Sequence, residues 1–209
     1  MTHSRLHWEN IYKTKPADAV SWFAPHLEKS LELISGLGLP KTSSIIDVGG
    51  GAATLVDDLL SEGFKNLAVL DISGEALEVS KKRLGEKARS IEWLEADITA
   101  ADLKPARYDL WHDRAVFHFL TNPADRRKYV DVLRMAVKKG GHVLIAAFGP
   151  QGPLKCSGLD IVRYSAEQLQ KELGPEFQLK KTLAEVHKTP FDTTQDFLYA
   201  LFTKELLAC

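Results

Sequence analysis

The sequence predicts an α/β fold with a mostly parallel β-sheet, and three observations lead to it. Short apolar runs alternate with helical patterns along the chain, which is typical of βα units. The first run ends in Asp47 and continues into Gly49, Gly50 and Gly51, and the second run ends in Asp71. The last two runs are joined by a loop too short for a helical crossover, so we expect them to pair antiparallel.

These patterns also give the order of the elements. Strands are predicted at 44–48, 66–71, 90–94, 108–112, 142–148, 177–186 and 196–203. Helices are predicted at 25–36, 53–62, 74–85, 123–138 and 165–173. Ser73 and Ser165 precede two of these helices and are typical N-cap residues. The loop between the last two strands contains Thr189 and Pro190.

Composition restricts the class of protein. A chain of 209 residues is expected to form one domain, and its net charge of -1 gives no electrostatic reason to expect a nucleic-acid partner. No apolar run approaches the roughly 20 residues that span a bilayer, and the N-terminus lacks a signal-like stretch. Cys156 and Cys209 are too few for a disulfide framework, and the histidines lack metal-ligand spacing. We therefore expect a cytoplasmic protein with no membrane partner and no metal site.

The glycine triplet indicates a ligand site. A strand, a glycine turn and a helix let a ligand approach bare backbone and point N–H groups at it. Asp71 comes about twenty residues beyond Gly51, where a second strand should place an acid beside ribose hydroxyls. Thr54 stands where a dinucleotide-binding motif needs its third glycine, and no lysine between 42 and 64 completes a phosphate-binding P-loop. A nucleoside-containing cofactor of another kind is indicated.

The pattern Asp47-x-Gly49-x-Gly51 resembles motif I of the class I S-adenosylmethionine-dependent methyltransferases, with Ala53 in place of the third glycine. Segments 91–98, 108–113 and 137–145 resemble later strands of that family, so the resemblance covers roughly residues 40 to 150. It implies a Rossmann-like, seven-stranded, mostly parallel sheet with an antiparallel C-terminal strand and helices on both faces. It also implies one methyltransferase domain over 1–209, with an N-terminal lid segment (1–24), a cofactor-binding core (40–150) and a C-terminal helix and strand pair (151–209).

The same resemblance assigns the cofactor S-adenosylmethionine to a set of residues. Asp71 would bind the ribose, Ile72 would pack on the adenine, and Asp97 would accept from the adenine amino group. The whole predicted cofactor set is Trp8, Asp47, Gly49, Gly51, Asp71, Ile72, Asp97, Ile98 and His112.

The N-terminal segment 3–24 holds Trp8, Tyr12, Trp22 and Phe23 outside the predicted sheet. One interpretation is an amphipathic helix whose aromatic side chains cover a sheet edge. The other is a lid over the methionine end of the cofactor, because aromatic faces attract a sulfonium cation as they attract ammonium. Trp8 and Tyr12 lie on one helical face, so we expect them to contact cofactor or substrate.

The segment 111–115 follows the fourth strand, at the edge where open α/β sheets bind ligands. It partly resembles the Trp-Asp-Arg-Gly motif of thiopurine S-methyltransferases, with His112 inserted and Ala115 in place of glycine. The resemblance would place Arg114 between cofactor and substrate, so Arg114, Asp113 and Tyr12 are the catalytic candidates. The alternative for Asp113 and Arg114 is a surface or helix-capping role. His118, one turn on, is interpreted as a helix-face histidine.

The loop 148–158 reaches the same edge, and the sequence leaves open whether Cys156, Arg163, Tyr164 or His187 line the pocket. Cys156 is not expected to be a nucleophile, because direct methyl transfer needs no covalent enzyme intermediate. A small-molecule acceptor is favoured because the chain is one compact domain with aromatic lid candidates. The lack of an obvious general base favours a thiol or a similar soft nucleophile. Two alternatives remain: a protein lysine methyltransferase and a catalytically silent cofactor-binding module. Many lysine methyltransferases carry a Pro-Pro-aromatic motif after the fourth strand, and residues 113–116 lack it. The acceptor and the oligomeric state stay open.

Overall fold

A seven-stranded sheet forms the centre of the molecule in the computed structural model, which describes residues 2–205. Its strand order is β3-β2-β1-β4-β5-β9-β8; the first five strands are parallel, β9 is antiparallel to β5, and β8 is antiparallel to β9. The strands are β1 (Ser44–Val48), β2 (Asn66–Asp71), β3 (Ile91–Glu95), β4 (Tyr108–Arg114), β5 (Val137–Phe148), β8 (Phe177–Lys188) and β9 (Thr194–Lys204). The predicted fold class is confirmed.

Six α-helices flank this sheet within the described residues. They are α1 (Thr2–Thr14), α2 (Glu28–Ser35), α3 (Leu55–Ser61), α4 (Gly74–Leu84), α5 (Pro123–Ala136) and α6 (Ala166–Leu173). The two predicted N-caps are present: Ser73 Oγ accepts from the Ala76 N–H at 3.2 Å, and Ser165 forms a capping box with Gln168.

Three elements differ from the predictions. A short hairpin, β6 (Lys155–Cys156) and β7 (Leu159–Asp160), lies in the loop after β5 and was not predicted. The strand β5 begins at Val137 rather than 142, because its first residue already pairs with Tyr108 across a register shift. The strand β4 extends to Arg114 rather than 112, which decides the directions of the side chains at its end.

Side-chain alternation along the strands sorts the core into two layers. One buried cluster contains Ile45, Leu110 and Leu144 together with apolar residues of α2 and α3. The other contains Trp111 and Val143 together with apolar residues of α5 and α6. Helices therefore cover both faces, and residues of β4 face opposite layers in turn.

The N-terminal helix α1 packs against α4 beyond the ends of the parallel strands. Glu9 Oε1 accepts from the Gly74 N–H at 2.8 Å, and Arg5 forms an ion pair with Glu95. These contacts hold α1 over the carboxyl edge of the sheet. Among the described residues, none of the helices combines the length and apolar character that crossing a membrane requires. Within the same part of the chain, no group of three or more His, Cys, Asp or Glu side chains is placed to hold a metal ion. Cys209 lies outside the described residues.

Candidate active site

A cavity of about 250 Å³ opens at the carboxyl ends of the parallel strands, beneath α1. Most of the predicted site residues line it: Trp8, Tyr12, Gly49, Asp71, Ile72, Asp97, Ile98 and Arg114. A smaller pocket of about 40 Å³ adjoins it, shares Tyr12, Trp22, Gly49 and Arg114 with it, and adds Asp47 and His112. Gly51 and Asp113 line neither space.

The glycine turn after β1 is packed so closely that it excludes side chains. Gly49 has φ +71°, and a Cβ built there would lie 2.0 Å from Val116 Cγ2. A Cβ built on Gly51 would lie 2.5 Å from both Ala76 Cβ and Asp71 Oδ2. The turn therefore needs glycine at these two positions for close approach, and at Gly49 for the left-handed conformation as well.

Asp71 ends β2 and is held by the backbone around the glycine turn. Its Oδ2 accepts from the Gly51 N–H at 3.0 Å and its Oδ1 from the Ser73 N–H at 2.9 Å. Burial raises the pKa of this carboxyl to about 6, although the two hydrogen bonds oppose the rise and the nearby Asp47 adds to it. Each oxygen has a second lone pair, so Asp71 can still accept from a ligand in the cavity.

Asp97 follows β3 at the same edge. Its Oδ1 accepts from the Thr99 N–H at 2.9 Å and from Thr99 Oγ1 at 2.7 Å, which caps the short helix Ile98–Ala100. Ile72 and Ile98 line the cavity together with Asp97. A carboxylate beside two branched apolar side chains can bind a planar ring that carries a hydrogen-bond donor at its edge.

His112 engages both ring nitrogens within the protein. Its Nδ1 donates to Asp47 Oδ1 at 2.6 Å, and its Nε2 lies 2.8 Å from Ser30 Oγ. The structure places His112, a predicted cofactor residue, at the small pocket with both ring nitrogens bonded within the protein. Asp47 Oδ2 is buried and has no hydrogen-bond partner among the described residues.

Asp113 points away from the cavity. Its Oδ2 accepts from Tyr129 OH on α5 at 2.6 Å, and its Oδ1 accepts from the Val116 N–H at 2.9 Å. Burial raises the pKa of Asp113 to about 6, and the Tyr129 hydrogen bond opposes the rise. Because β4 continues through Arg114, neighbours at its end face opposite layers, and Asp113 faces α5. These contacts match the capping alternative, and the structure does not bring this catalytic candidate to the cavity.

Arg114 lies on the opposite side of β4 and enters the cavity. Its Nε donates to Tyr199 OH at 3.0 Å and its Nη1 to the Trp22 carbonyl at 3.0 Å. The guanidinium carbon lies 4.4 Å from the centre of the Phe197 ring, and only 6% of the side chain is exposed. Glu185 Oε2 is 3.9 Å away, so the positive charge is only partly compensated.

Aromatic side chains form a wall of the cavity around Arg114. The Trp8 ring packs edge-on against Trp22 and Phe119, with centroid distances of 5.6 and 5.1 Å, and Tyr12 lies 6.5 Å from Trp22. Burial and the charge of Asp71 raise the pKa of Tyr12, so its hydroxyl keeps its proton at neutral pH. Phe119 is the last residue of the short helix Phe117–Phe119 after β4 and was not predicted as a site residue.

The remaining candidates fall inside and outside the cavity. Cys156 lines it, and burial raises the pKa of its thiol to about 12, so it is no thiolate nucleophile. His118 is buried outside the lining, and burial lowers its pKa to about 3. His187 Nε2 donates to the Ser21 carbonyl at 3.0 Å, and Arg163 donates to the Gly152 carbonyl at 3.2 Å. Tyr164 is buried against Phe117.

Comparison with known proteins agrees with this geometry. Residues 45–141 match the family model of a methyltransferase domain. The chain is 24% identical to EEF1A lysine methyltransferase 2 of Danio rerio over 194 residues, which cover 86% of this chain and 77% of that protein. An S-adenosylmethionine-dependent methyltransferase from Anabaena variabilis superposes with a TM-score of 0.72 at 18% identity, covering 97% of this chain and 95% of that one.

The N-methyltransferase NodS of Bradyrhizobium japonicum in complex with S-adenosyl-L-homocysteine superposes with a TM-score of 0.65 at 18% identity. The superposition covers 85% of this chain and 86% of NodS. Residues 45–141 therefore match a methyltransferase domain, and the chain shares the fold of solved S-adenosylmethionine-dependent methyltransferases.

Proposed function

We propose that this methyltransferase acts on a small molecule that presents a thiol or a similar soft nucleophile. The observation that carries the proposal is the buried guanidinium of Arg114, which is set in an aromatic wall of the cavity. We also propose that the whole chain works as one domain, since the N-terminal segment lines this cavity and Tyr199 of the C-terminal hairpin accepts a hydrogen bond from Arg114.

The residues present fit the cofactor. The glycine turn leaves a space that a Cβ would fill. Asp47 Oδ2 is a buried acceptor without a partner among the described residues, and the α-ammonium group of the cofactor would supply that partner. Asp71 would accept from the ribose hydroxyls, and Asp97 from the adenine amino group between Ile72 and Ile98. The bound cofactor supplies a methyl group on a sulfonium, which is activated towards in-line displacement.

Arg114 would orient the acceptor. A guanidinium that is weakly compensated attracts an anionic or polarised group, and Tyr199 and the Phe197 ring fix its direction. Holding the nucleophile in line with the methyl group contributes to the rate through alignment alone. The aromatic side chains of Trp8, Tyr12 and Trp22 would exclude water from the same space.

The protonation states around the cavity favour an acceptor that is already deprotonated. The phenol of Tyr12 and the thiol of Cys156 both hold their protons at neutral pH, because burial raises their pKa values. The Asp71 carboxylate is committed to backbone N–H groups on the adenosine side. A thiolate needs no base at the moment of transfer, whereas an ammonium must first lose a proton.

A lysine side chain of a protein is the second candidate acceptor. The similarity to EEF1A lysine methyltransferase 2 extends over 86% of this chain. The rings of Trp8 and Trp22 would attract an ammonium group by cation–π interaction. Elongation factor 1A is therefore the protein acceptor to compare with small thiols.

The test is a transfer assay with radiolabelled S-adenosylmethionine. Aliphatic and aromatic thiols form one arm, and purified elongation factor 1A forms the other. We expect label in the methylated thiols, and Arg114→Ala should lower kcat/KM for the thiol by about 10- to 100-fold, the scale of a lost charge-assisted contact. S-adenosylhomocysteine affinity should change far less. Arg163→Ala is the matched control, because that exposed arginine lies outside the cavity.

Label confined to the elongation factor would replace the thiol proposal with the lysine candidate. Equal turnover of wild type and Arg114→Ala on every acceptor would remove Arg114 from the acceptor site.

A further inference from the structure

Three side chains from distant parts of the chain form a buried hydrogen-bonded row beneath the glycine turn. Asp47 and His112 are register partners on the parallel strands β1 and β4, so their side chains leave the sheet side by side. Ser30 reaches them from α2, which covers that face. Only 4% of Asp47 and 1% of His112 are exposed, and Ser30 is fully buried.

The chemistry of Asp47 fixes the direction of the hydrogen bond that it shares with His112. A carboxylate can only accept, so His112 Nδ1 donates to Asp47 Oδ1 over 2.6 Å. In a neutral imidazole the other nitrogen then accepts, so Ser30 Oγ donates to Nε2 over 2.8 Å. The row therefore selects one tautomer of His112 and holds its ring in one orientation.

The second carboxylate oxygen of Asp47 is the atom of this row that is left to bind a ligand. Oδ2 is buried and has no partner in the part of the chain that the structure describes, and a Cβ built on Gly50 would lie 2.3 Å from it. Asp47 borders the small pocket, whose lining also includes Gly49, Gly50 and Arg114. The pocket thus has a carboxylate oxygen in its lining, which is the complement of an ammonium group.

We propose that His112 and Ser30 are positioning residues for the methionine end of the cofactor. By occupying Oδ1, His112 leaves Oδ2 as the acceptor for the α-ammonium group, and Ser30 keeps the imidazole from rotating away. The inference rests on the proposed role of Asp47. It assigns a function to a serine on a helix that carries none of the family's motif residues.

The row should act on the ammonium group and leave the adenosine half unaffected, which permits a sharp test. S-adenosylhomocysteine carries the amino-acid end, whereas 5′-methylthioadenosine lacks it and keeps the adenosine and the thioether. Calorimetry with both ligands on the full chain separates the two halves of the site. Three variants are compared with wild type: His112→Leu, which removes both hydrogen bonds; His112→Asn, which keeps an N–H at the position of Nδ1; and Ser30→Ala.

We expect His112→Leu to weaken S-adenosylhomocysteine about 10- to 100-fold, the range found when the partner that orients a binding side chain is removed. Binding of 5′-methylthioadenosine should stay within about twofold. His112→Asn should recover most of the loss, and Ser30→Ala should lose a few-fold for S-adenosylhomocysteine alone. His142→Leu is the control for losing a histidine from the sheet, since His142 bonds Thr203 away from the cavity.

Equal weakening of both ligands in the His112 and Ser30 variants would overturn the proposal, because a general loss of structure would explain it. Unchanged S-adenosylhomocysteine binding in folded His112→Leu or in folded Ser30→Ala would overturn it as well, and Ser30→Ala keeps the test valid where His112→Leu does not fold. Equal affinity of the wild type for both ligands would instead remove Asp47 from the ammonium site. Binding of neither ligand by the wild type would contradict the cofactor assignment.

Discussion

Replacing Asp71 with asparagine should change how the stability of the ligand-free protein depends on pH. Burial raises the pKa of Asp71 from 3.8 to about 6. The folded chain therefore keeps this proton up to about pH 6, whereas the unfolded chain releases it near pH 4. A raised carboxyl pKa stabilises the folded state only at low pH, and this contribution is lost as the pH rises from about 4 to about 6.

The size of the effect follows from the difference between the two pKa values. About two pH units at 1.36 kcal/mol each give about 3 kcal/mol of unfavourable charge burial above pH 6. About 2 kcal/mol of that develops between pH 4.5 and pH 7.5. Asparagine carries no charge, so the variant lacks this dependence. The NH₂ group of the asparagine would also face the N–H of Gly51 or Ser73, so that two donors meet. This lowers the free energy of unfolding by about 1–3 kcal/mol at every pH.

Urea unfolding of wild type and Asp71→Asn at pH 4.5, 6.0 and 7.5 measures the difference directly. The free energy of unfolding of the variant minus that of wild type should rise by about 2 kcal/mol across this range. Asp102→Asn is the control, because Asp102 is exposed. The same samples should show S-adenosylhomocysteine binding weakened by about 1–3 kcal/mol at pH 7.5 in the Asp71 variant.

A difference that stays constant within about 0.5 kcal/mol from pH 4.5 to pH 7.5 would refute the reasoning, since burial would then not disfavour the charged carboxylate. A pH-dependent difference with unchanged ligand affinity would keep the electrostatic argument and remove Asp71 from the ribose site.

Three further predictions use the same cavity and its supports. Gly51→Ala should destabilise the protein by about 1–3 kcal/mol and weaken S-adenosylhomocysteine binding, because the new methyl group would overlap Ala76 on α4 and the carboxyl of Asp71. Gly36→Ala is the control, because a Cβ there meets only ordinary contacts. Equal melting temperatures of Gly51→Ala and wild type would contradict this prediction. Tyr129→Phe should lower the free energy of unfolding more at pH 7.5 than at pH 5, because the lost hydroxyl stabilises the charged form of Asp113; urea unfolding at both pH values measures it, and a loss independent of pH would refute it. Trp8→Ala should reduce turnover more than cofactor affinity, because it opens the aromatic wall to water. Steady-state kinetics with the identified acceptor measures both quantities. A larger loss of cofactor affinity than of turnover would mean that Trp8 only binds the cofactor.

Local spacing in the sequence was enough for the cofactor edge. Asp47, Asp71 and Asp97 each end or follow an apolar run, and the carboxyl ends of parallel strands meet at one edge whatever the rest of the chain does. The glycine turn is equally local. These residues could be placed without knowing any long-range contact.

The end of β4 was harder to predict because its direction depends on where the strand stops. Two further residues of pairing with β5 turn Asp113 towards α5 and Arg114 towards the cavity. Nothing in the pattern Trp-His-Asp-Arg gives that length. The row from Asp47 to Ser30 was likewise inaccessible, since 82 residues separate Ser30 from His112 and only the packing of α2 on the sheet brings them together.

The C-terminal hairpin of β8 and β9 has a consequence for the order in which the site can form. Tyr199 on β9 fixes Arg114, while His187 and Gln195 hold Ser21 in the N-terminal segment. The predicted cofactor residues at the strand ends lie between residues 47 and 98 and leave the ribosome early, but Arg114 and Ser21 lack these hydrogen-bond partners until the hairpin is in place beside β5. A nascent chain can therefore form the strand-end edge of the cavity well before Arg114 is fixed, so the completed cavity depends on the last strand to be synthesised.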